Sequence, residues 1–193
     1  MTRNQSNDSA DRGHEALMRM AAGEDVFFKY YWPRLVRYLN ARAADTNLAE
    51  DVASDAMIAF LDRWDYLLTY RRPDSWLFKV ATRKLRKLEK RARDHCCFDE
   101  DLASSVGDLQ AAAASDMWIE DHMDLVAALR SLPSRQCEVI GLHYFGGYTL
   151  AETAEILDIE VGTAKKHLSR GLERLRQSQG IPATVKATRR ISA

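Results

Sequence analysis

A chain of 193 residues, 46% hydrophobic and 29% charged, has the make-up of an ordinary soluble protein with one large or two small domains. Its 28 basic and 28 acidic residues cancel to a formal net charge of zero, which taken alone argues against a nucleic-acid binder. No apolar run approaches the roughly 20 residues that span a bilayer, and the polar N-terminus reads as no signal peptide, so a cytoplasmic location is expected.

In chain order, residues 1–13 are polar and expected to be disordered. A helical block follows over 14–44, with Val26, Phe27, Tyr30, Tyr31, Leu35 and Leu39 as its apolar stripe. Pro33 should kink this block or start a new helix within it. The next helix is expected over 48–64, with Leu48, Val52, Ala56, Ala59, Phe60 and Trp64 at core spacing. Glu50 and Asp51 fall in its first turn on that boundary, where the helix dipole favours acids, and Asp55 lies one turn beyond Asp51 on the same face. The acids are thus open to a structural explanation or to a docking role.

Residues 65–74 form a connection, and 75–93 read as one long helix. Trp76, Leu77, Val80, Leu85 and Leu88 suit its buried side. Its second half is basic: from 79 to 93 there are eight Lys or Arg against one acid, Glu89. From 94 to 129 there are nine acids and no Lys or Arg. The zero net charge is therefore a sum of opposed blocks, and blocks are what a partner feels. Uncompensated cations along one helix repel each other unless a polyanion lies alongside. Aromatic side chains at the head of that helix add surfaces on which unpaired bases stack.

Residues 94–116 have the composition of a flexible acidic linker, and a second helical domain should begin near 117. A helix with Trp118, Leu125, Val126 and Leu129 buried is broken by Pro133. Another from about Arg135 carries Val139, Ile140, Leu142 and Phe145, and Gly146-Gly147 end it. The fold class expected is all-α: two small helical domains, 14–93 and 117–176, joined by the linker, with a mobile tail over 177–193.

The stretch 149–176, TLAETAEILDIEVGTAKKHLSRGLERLR, holds the sharpest local signal. Thr149 and Glu152 make a capping box ahead of an apolar run, with Leu150, Ala154 and Leu157 on the buried face. Asp158-Ile159-Glu160 is a turn, and Asp tolerates the left-handed backbone such turns need. The second helix is expected to bury Val161, Ala164, Leu168, Leu172 and Leu175 and to show Thr163, Lys165, Lys166, His167, Arg170, Arg174 and Arg176. That is a helix-turn-helix, whose second helix enters the major groove. On this spacing alone a merely solvated basic face stands level with DNA binding.

Catalysis finds little support. There is no Gly-rich phosphate loop, nucleophile motif or clustered His/carboxylate set, and His143 reads as structural. Cys96, Cys97 and Cys137, an odd count without ligand spacing, imply neither a disulfide framework nor a zinc site. No catalytic residue, metal or cofactor is expected.

Two stretches resemble one family, the bacterial RNA polymerase sigma factors of the extracytoplasmic-function type. LAEDVASDAMIAFLDRW with SWLFKVATRKLRKLEKRAR looks like their region 2, and LRSLPSRQCEVIGLHYFGGYTLAETAEILDIEVGTAKKHLSRGLERLR is similar to region 4. The resemblance implies that region 2 docks on the polymerase clamp and holds the melted −10 element, while region 4 reads the −35 element. By match of motif, Glu50, Asp51 and Asp55 fall where the family meets the clamp. Trp76, Arg83, Lys84, Lys87, Lys90 and Arg91 fall against −10 DNA. Thr163, Lys165, Lys166, His167 and Arg170 occupy the recognition helix. The partners implied are core RNA polymerase and promoter DNA, with an anti-sigma protein a further candidate.

Departures from the family pattern bear on specificity. Ser54-Asp55 stand where Gln-Glu is usual, Arg83 where Asn is frequent, Asp158 for Gly and Glu160 for Pro. Lys166-His167 replace a commoner Ser-Arg, so promoter choice is expected to be the chain's own. A stand-alone helix-turn-helix regulator is the alternative; it accounts for 149–176 but leaves the basic helix and acidic linker unexplained.

Overall fold

The computed structural model describes residues 16, 18–43, 45–96 and 123–177. The N-terminal segment 1–13, Cys97, nearly all of the acidic linker, Trp118 and the tail from 178 lie outside them. Residues 18–21 are helical, and after them come α1 (Glu24–Asn40), α2 (Thr46–Leu61), α3 (Trp64–Leu67), α4 (Pro73–Cys96), α5 (Met123–Arg130), α6 (Ser134–Tyr144), α7 (Leu150–Leu157) and α8 (Val161–Gln177). Among the described residues there is no strand, and the chain is all-α.

Local chemistry sets the boundaries. Gly23, with φ 108°, turns the chain into α1, and α1 then carries Pro33 inside it without ending. Phe27, Tyr31, Leu35 and Leu39 are buried at a spacing of four, whereas Val26, one step off that stripe, is 43% exposed. The Asp45 side chain accepts from the Asn47 N–H at 3.0 Å and caps α2. That cap starts α2 at Thr46, two residues earlier than expected, and moves Glu50 and Asp51 out of the first turn. The dipole fades beyond that turn, so it no longer accounts for the acids. The far end of α2 is Leu61, and Trp64 begins the short α3, its ring meeting Phe27 edge-on at 5.6 Å. Pro73 opens α4, where its missing N–H would have gone unpaired in any case.

One hydrophobic cluster holds α1, α2 and α4 together. Phe27 stacks on Phe60 with centroids 4.5 Å apart, and Leu35, Leu39, Val52, Leu77, Phe78 and Leu85 close around them. The cluster does not stop at the linker: Val139 and Leu142 of α6, Tyr148, and Ile156 and Leu157 of α7 belong to it. A smaller cluster joins Ala41, just past α1, to Leu129, Leu132, Cys137, Ile140 and Leu175.

Two glycines fix how closely helices meet. A Cβ on Gly141 would lie 2.8 Å from Tyr38 Cδ2, so α6 can approach α1 only with glycine there. A Cβ on Gly171 would lie 2.6 Å from Ile140 Cδ1, which sets α8 against α6. The Tyr38 hydroxyl and Thr82 Oγ1 are 2.7 Å apart behind the first contact.

Charge follows the same seam. Glu138 of α6, its side chain 1% exposed, accepts from Arg86 of α4 at 2.7 and 2.6 Å and from Arg42, which also pairs with Glu89. On its own side of the linker the bond to Glu138 comes from Arg135, at 3.4 Å. Beside it, the Cys137 thiol donates to the Ala41 carbonyl at 3.2 Å. Burial, opposed by Arg42, pushes this thiol from its ordinary 9.0 up to about 12, and burial likewise raises the Tyr38 hydroxyl. The folded chain keeps protons here that the unfolded chain releases. This contribution to stability is whole below pH 9.0 and is lost as pH rises through about 12. Urea midpoints should hold steady from pH 7 to about 9 and then fall; a midpoint still flat at about pH 11.5 would contradict the burial of these groups.

Candidate nucleic-acid interface

The helix-turn-helix forms as its sequence requires. Thr149 Oγ1 accepts from the Glu152 N–H at 3.3 Å, and Glu152 Oε2 accepts from the Thr149 N–H and hydroxyl at 2.7 and 2.8 Å. Asp158 ends α7 in the left-handed region at φ 59°, and α8 leaves three residues later. Ala164 and Leu175 are buried and Leu168 and Leu172 half-buried, but Val161 is 39% exposed because it stands at the first position of α8.

On the outer side of α8, Lys165, Lys166 and Arg170 are exposed, with Lys166 and Arg170 one turn apart on one face. Thr163 is half-buried, and so is His167, whose Nδ1 is buried and unpartnered among the described residues. Further along, Arg174 reaches Gln136 Oε1 at 3.4 Å and Arg176 pairs with Glu173. The cations open to a polyanion are therefore concentrated in the first ten residues of the helix.

The basic helix α4 divides by face. Arg83, Lys87, Lys90 and Arg91 are exposed, at spacings of four, three and one, and make one solvent-facing stripe. Lys84 leans back to pair with Asp55 of α2. Arg86 and Lys79 face α6 and α7: Arg86 grips Glu138, and Lys79 Nζ reaches the Glu155 carbonyl at 3.5 Å. Along the sequence these cations form one block, and the pitch of the helix separates them.

At the head of α4, Trp76 is half-buried, 6.1 Å from Phe60, with the Arg63 guanidinium 5.8 Å from its ring. Tyr66 and Tyr70 are exposed, their rings 5.4 Å apart. A cleft of about 360 Å³ opens here between α4 and α7, with Tyr70, Arg71, Trp76 and Lys79 on one wall and Glu152, Glu155 and Ile156 on the other. Arg72 spans it, bonded to Asp74 at 3.1 and 2.8 Å and to Glu152. Burial works against its charge, but the Asp74 and Glu152 carboxylates outweigh burial and hold it above its ordinary value.

On α2, Asp51 and Asp55 are exposed and Glu50 half-buried. Ile58, 58% exposed, continues the Asp51–Asp55 face by a further turn. Its signal in the sequence is an isoleucine three residues after Asp55 and outside the buried positions. His143 bonds the Tyr148 carbonyl through Nδ1 at 2.7 Å, the structural part expected of it. No described helix is long and apolar enough to cross a membrane.

Comparison with known proteins places both halves. Residues 27–94 match the family model described as Sigma-70 region 2, and 122–175 match that described as Sigma-70, region 4. The ECF RNA polymerase sigma factor SigW of Bacillus subtilis is 30% identical over 141 residues, covering 67% of this chain and 74% of that one. The RNA polymerase sigma-E factor of Streptomyces avermitilis is 29% identical over 171 residues, covering 82% and 88%. In fold, the chain is similar to the sigma factor RpoE of Bartonella quintana, solved with the anti-sigma factor NepR. There the TM-score is 0.63 and the identity 24%, over 78% of this chain and 92% of that one. It is also similar to CnrH, solved with the cytosolic domain of CnrY, at TM-score 0.54 and 18% identity over 88% and 95%.

Proposed function

From its place among the extracytoplasmic-function sigma factors, to which this chain belongs and which direct promoter-specific transcription initiation, we propose a division of labour by residue. Residues 14–93 act as the polymerase-docking and −10-holding domain, and 117–176 as the −35-reading domain, with 94–116 as the linker between them. Lys165, Lys166 and Arg170, flanked by Thr163 and His167, meet the −35 duplex in its major groove. Arg83, Lys87, Lys90 and Arg91, with Lys84 behind them, run along the phosphates of the melted −10 strand, and Trp76 offers a ring for its bases. Glu50, Asp51 and Asp55, continued by Ile58, dock on the polymerase clamp. The chain works in the cytoplasm, with no catalytic chemistry of its own. The anti-sigma factor bound to RpoE supports an anti-sigma protein as a third partner.

The observation that carries this reading is the presence of exposed cationic stripes on both halves, on α4 and α8, in a chain of zero net charge. Run-off transcription with core polymerase on a promoter library tests it; no discrete start site above that of core enzyme alone would refute it. A sharper test addresses the acids. Asp51→Lys with Asp55→Lys should weaken binding to core polymerase by about tenfold or more, about 1.4 kcal/mol per tenfold. Both carboxylates are exposed and lie past the first turn of α2, so helical content should not change. Unchanged affinity for core polymerase would leave the acids as a solvated face.

A further inference from the structure

The proposed function gives Asp55 of α2 to the polymerase clamp and Lys84 of α4 to the −10 strand, yet in the free chain the two are bonded to each other. Each stands at the edge of its own surface. Asp55 lies one turn past Asp51 and three residues before the exposed Ile58. Lys84 lies three residues before Lys87 and seven before Arg91, beside the stripe that those cations share with Arg83 and Lys90. Val52 and Phe60 of α2 pack in one cluster with Leu77 and Leu85 of α4, so the acid of one surface meets the cation of the other.

This pair differs in kind from the buried ones. Arg86 holds Glu138 through two nitrogens, and the Glu138 side chain is 1% exposed. Parting such a pair strands a charge away from water. The side chains of Lys84 and Asp55 are 37% and 51% exposed, so each stays hydrated when the other leaves. An exposed pair is also weak enough for a better-placed ligand to displace it. Lysine carries a compact ammonium on a flexible four-carbon stem rather than a planar fork, and it turns from a carboxylate to a phosphate without losing a two-pronged fit.

We propose that Asp55 and Lys84 are an exchange pair between the two surfaces. In the free chain each occupies the other; a cation of the clamp that takes Asp55 releases Lys84 to a phosphate of the −10 strand. Lys84 is thus a DNA contact conditional on docking, whereas Arg83, Lys87, Lys90 and Arg91 are available throughout. By reciprocity, a −10 strand that takes Lys84 favours the clamp at Asp55 by the same factor. This rests on the assignments of Asp55 and Lys84 made above.

Two sets of measurements test it, each with helical content checked by dichroism. In the first, a labelled 20-nucleotide oligothymidylate is titrated into the full free chain over a salt series, with no polymerase present. Asp55→Asn, which frees Lys84, should tighten binding about two- to fivefold and steepen the salt slope by about 0.7. Asp62→Asn removes the same charge from the exposed end of α2 and should leave the slope unchanged. Lys84→Met should cost at least about threefold in affinity in the Asp55→Asn chain and less than about twofold with Asp55 present. In the second set, Lys84→Met should tighten binding to core polymerase about two- to fivefold, because Asp55 no longer has to leave a partner. In holoenzyme on a fork-junction duplex with an unpaired −10 strand, the same substitution should lower the salt slope by about 0.7 with Asp55 in place. Equal effects of Asp55→Asn and Asp62→Asn on oligothymidylate would overturn the exchange in favour of plain net charge. Weaker core binding by Lys84→Met would make Lys84 an orienting partner of Asp55 and overturn the competition. An unchanged slope in holoenzyme would overturn the release of Lys84 to DNA. If Asp51→Lys with Asp55→Lys leaves core affinity unchanged, the clamp assignment falls, while the oligothymidylate series still decides whether Asp55 withholds Lys84.

Discussion

Phe60→Ala is expected to destabilise the chain by about 3–5 kcal/mol, the range for emptying a fully buried aromatic site. The side chain is fully buried, stacked on Phe27 at 4.5 Å, with Trp64 edge-on at 5.9 Å and Trp76 at 6.1 Å. Three rings of that size cannot close on an alanine, so a cavity remains and adds to the lost transfer energy. For a chain of this length the midpoint of thermal unfolding should fall by roughly 6–20 °C, measurable by far-ultraviolet dichroism. Because Val139, Leu142, Tyr148 and Ile156 belong to the same cluster, both halves should melt together. A loss below about 1.5 kcal/mol would mean the aromatic cluster repacks. A separate, unshifted transition for the second half would mean the cluster ends at the linker in solution.

Lys166→Ala and Arg170→Ala should differ in kind. Lys166 lies in the first half of α8, the end that helix-turn-helix proteins bring to base edges, and it is exposed. Losing a base contact there should cost about 1–3 kcal/mol, roughly 5–150-fold, and relax preference at one position of the −35 element. Arg170 lies one turn further on and is placed to reach a phosphate. Its loss should weaken all promoters alike and lower the salt slope by about one. Promoter binding by holoenzyme, over a salt series and a set of −35 variants, checks both. Relaxed specificity in Arg170→Ala with none in Lys166→Ala would exchange the two roles, and no effect from either would leave α8 a solvated face.

How much was legible in the sequence depends on the range of the interaction. The capping box at Thr149 and Glu152, the left-handed Asp158 and the stripe of Phe27, Tyr31, Leu35 and Leu39 all rest on contacts within four residues, and each is present. Boundaries moved where a single side chain decided them: the Asp45 cap drew α2 back to Thr46, and the packing of Trp64 made a separate turn of α3. The seam was not legible, because charge counting has no direction. Arg86 entered the sum of the basic helix like its neighbours, yet it is spent on Glu138, fifty-two residues away. Lys84 and Asp55, assigned to different partners, pair with each other. Gly141 gave no signal at all, since its meaning lies in a tyrosine on another helix.

Glu152 divides its two oxygens. Oε2 serves Thr149 and starts α7, while Oε1 serves Arg72 across the cleft. Both tasks use one rotamer of one side chain, so any change at 152 is pleiotropic: it loosens the grip on Arg72 and frays the helix that positions α8. Drift in how tightly the two halves hold each other is therefore expected to be written at residue 72, where a shorter or neutral side chain leaves the helix-turn-helix intact. Lesions at 72 should accordingly lower thermal stability by uncovering the buried Asp74 and Glu152 carboxylates yet leave the α7 capping box formed, whereas lesions at 152 should lose the box as well.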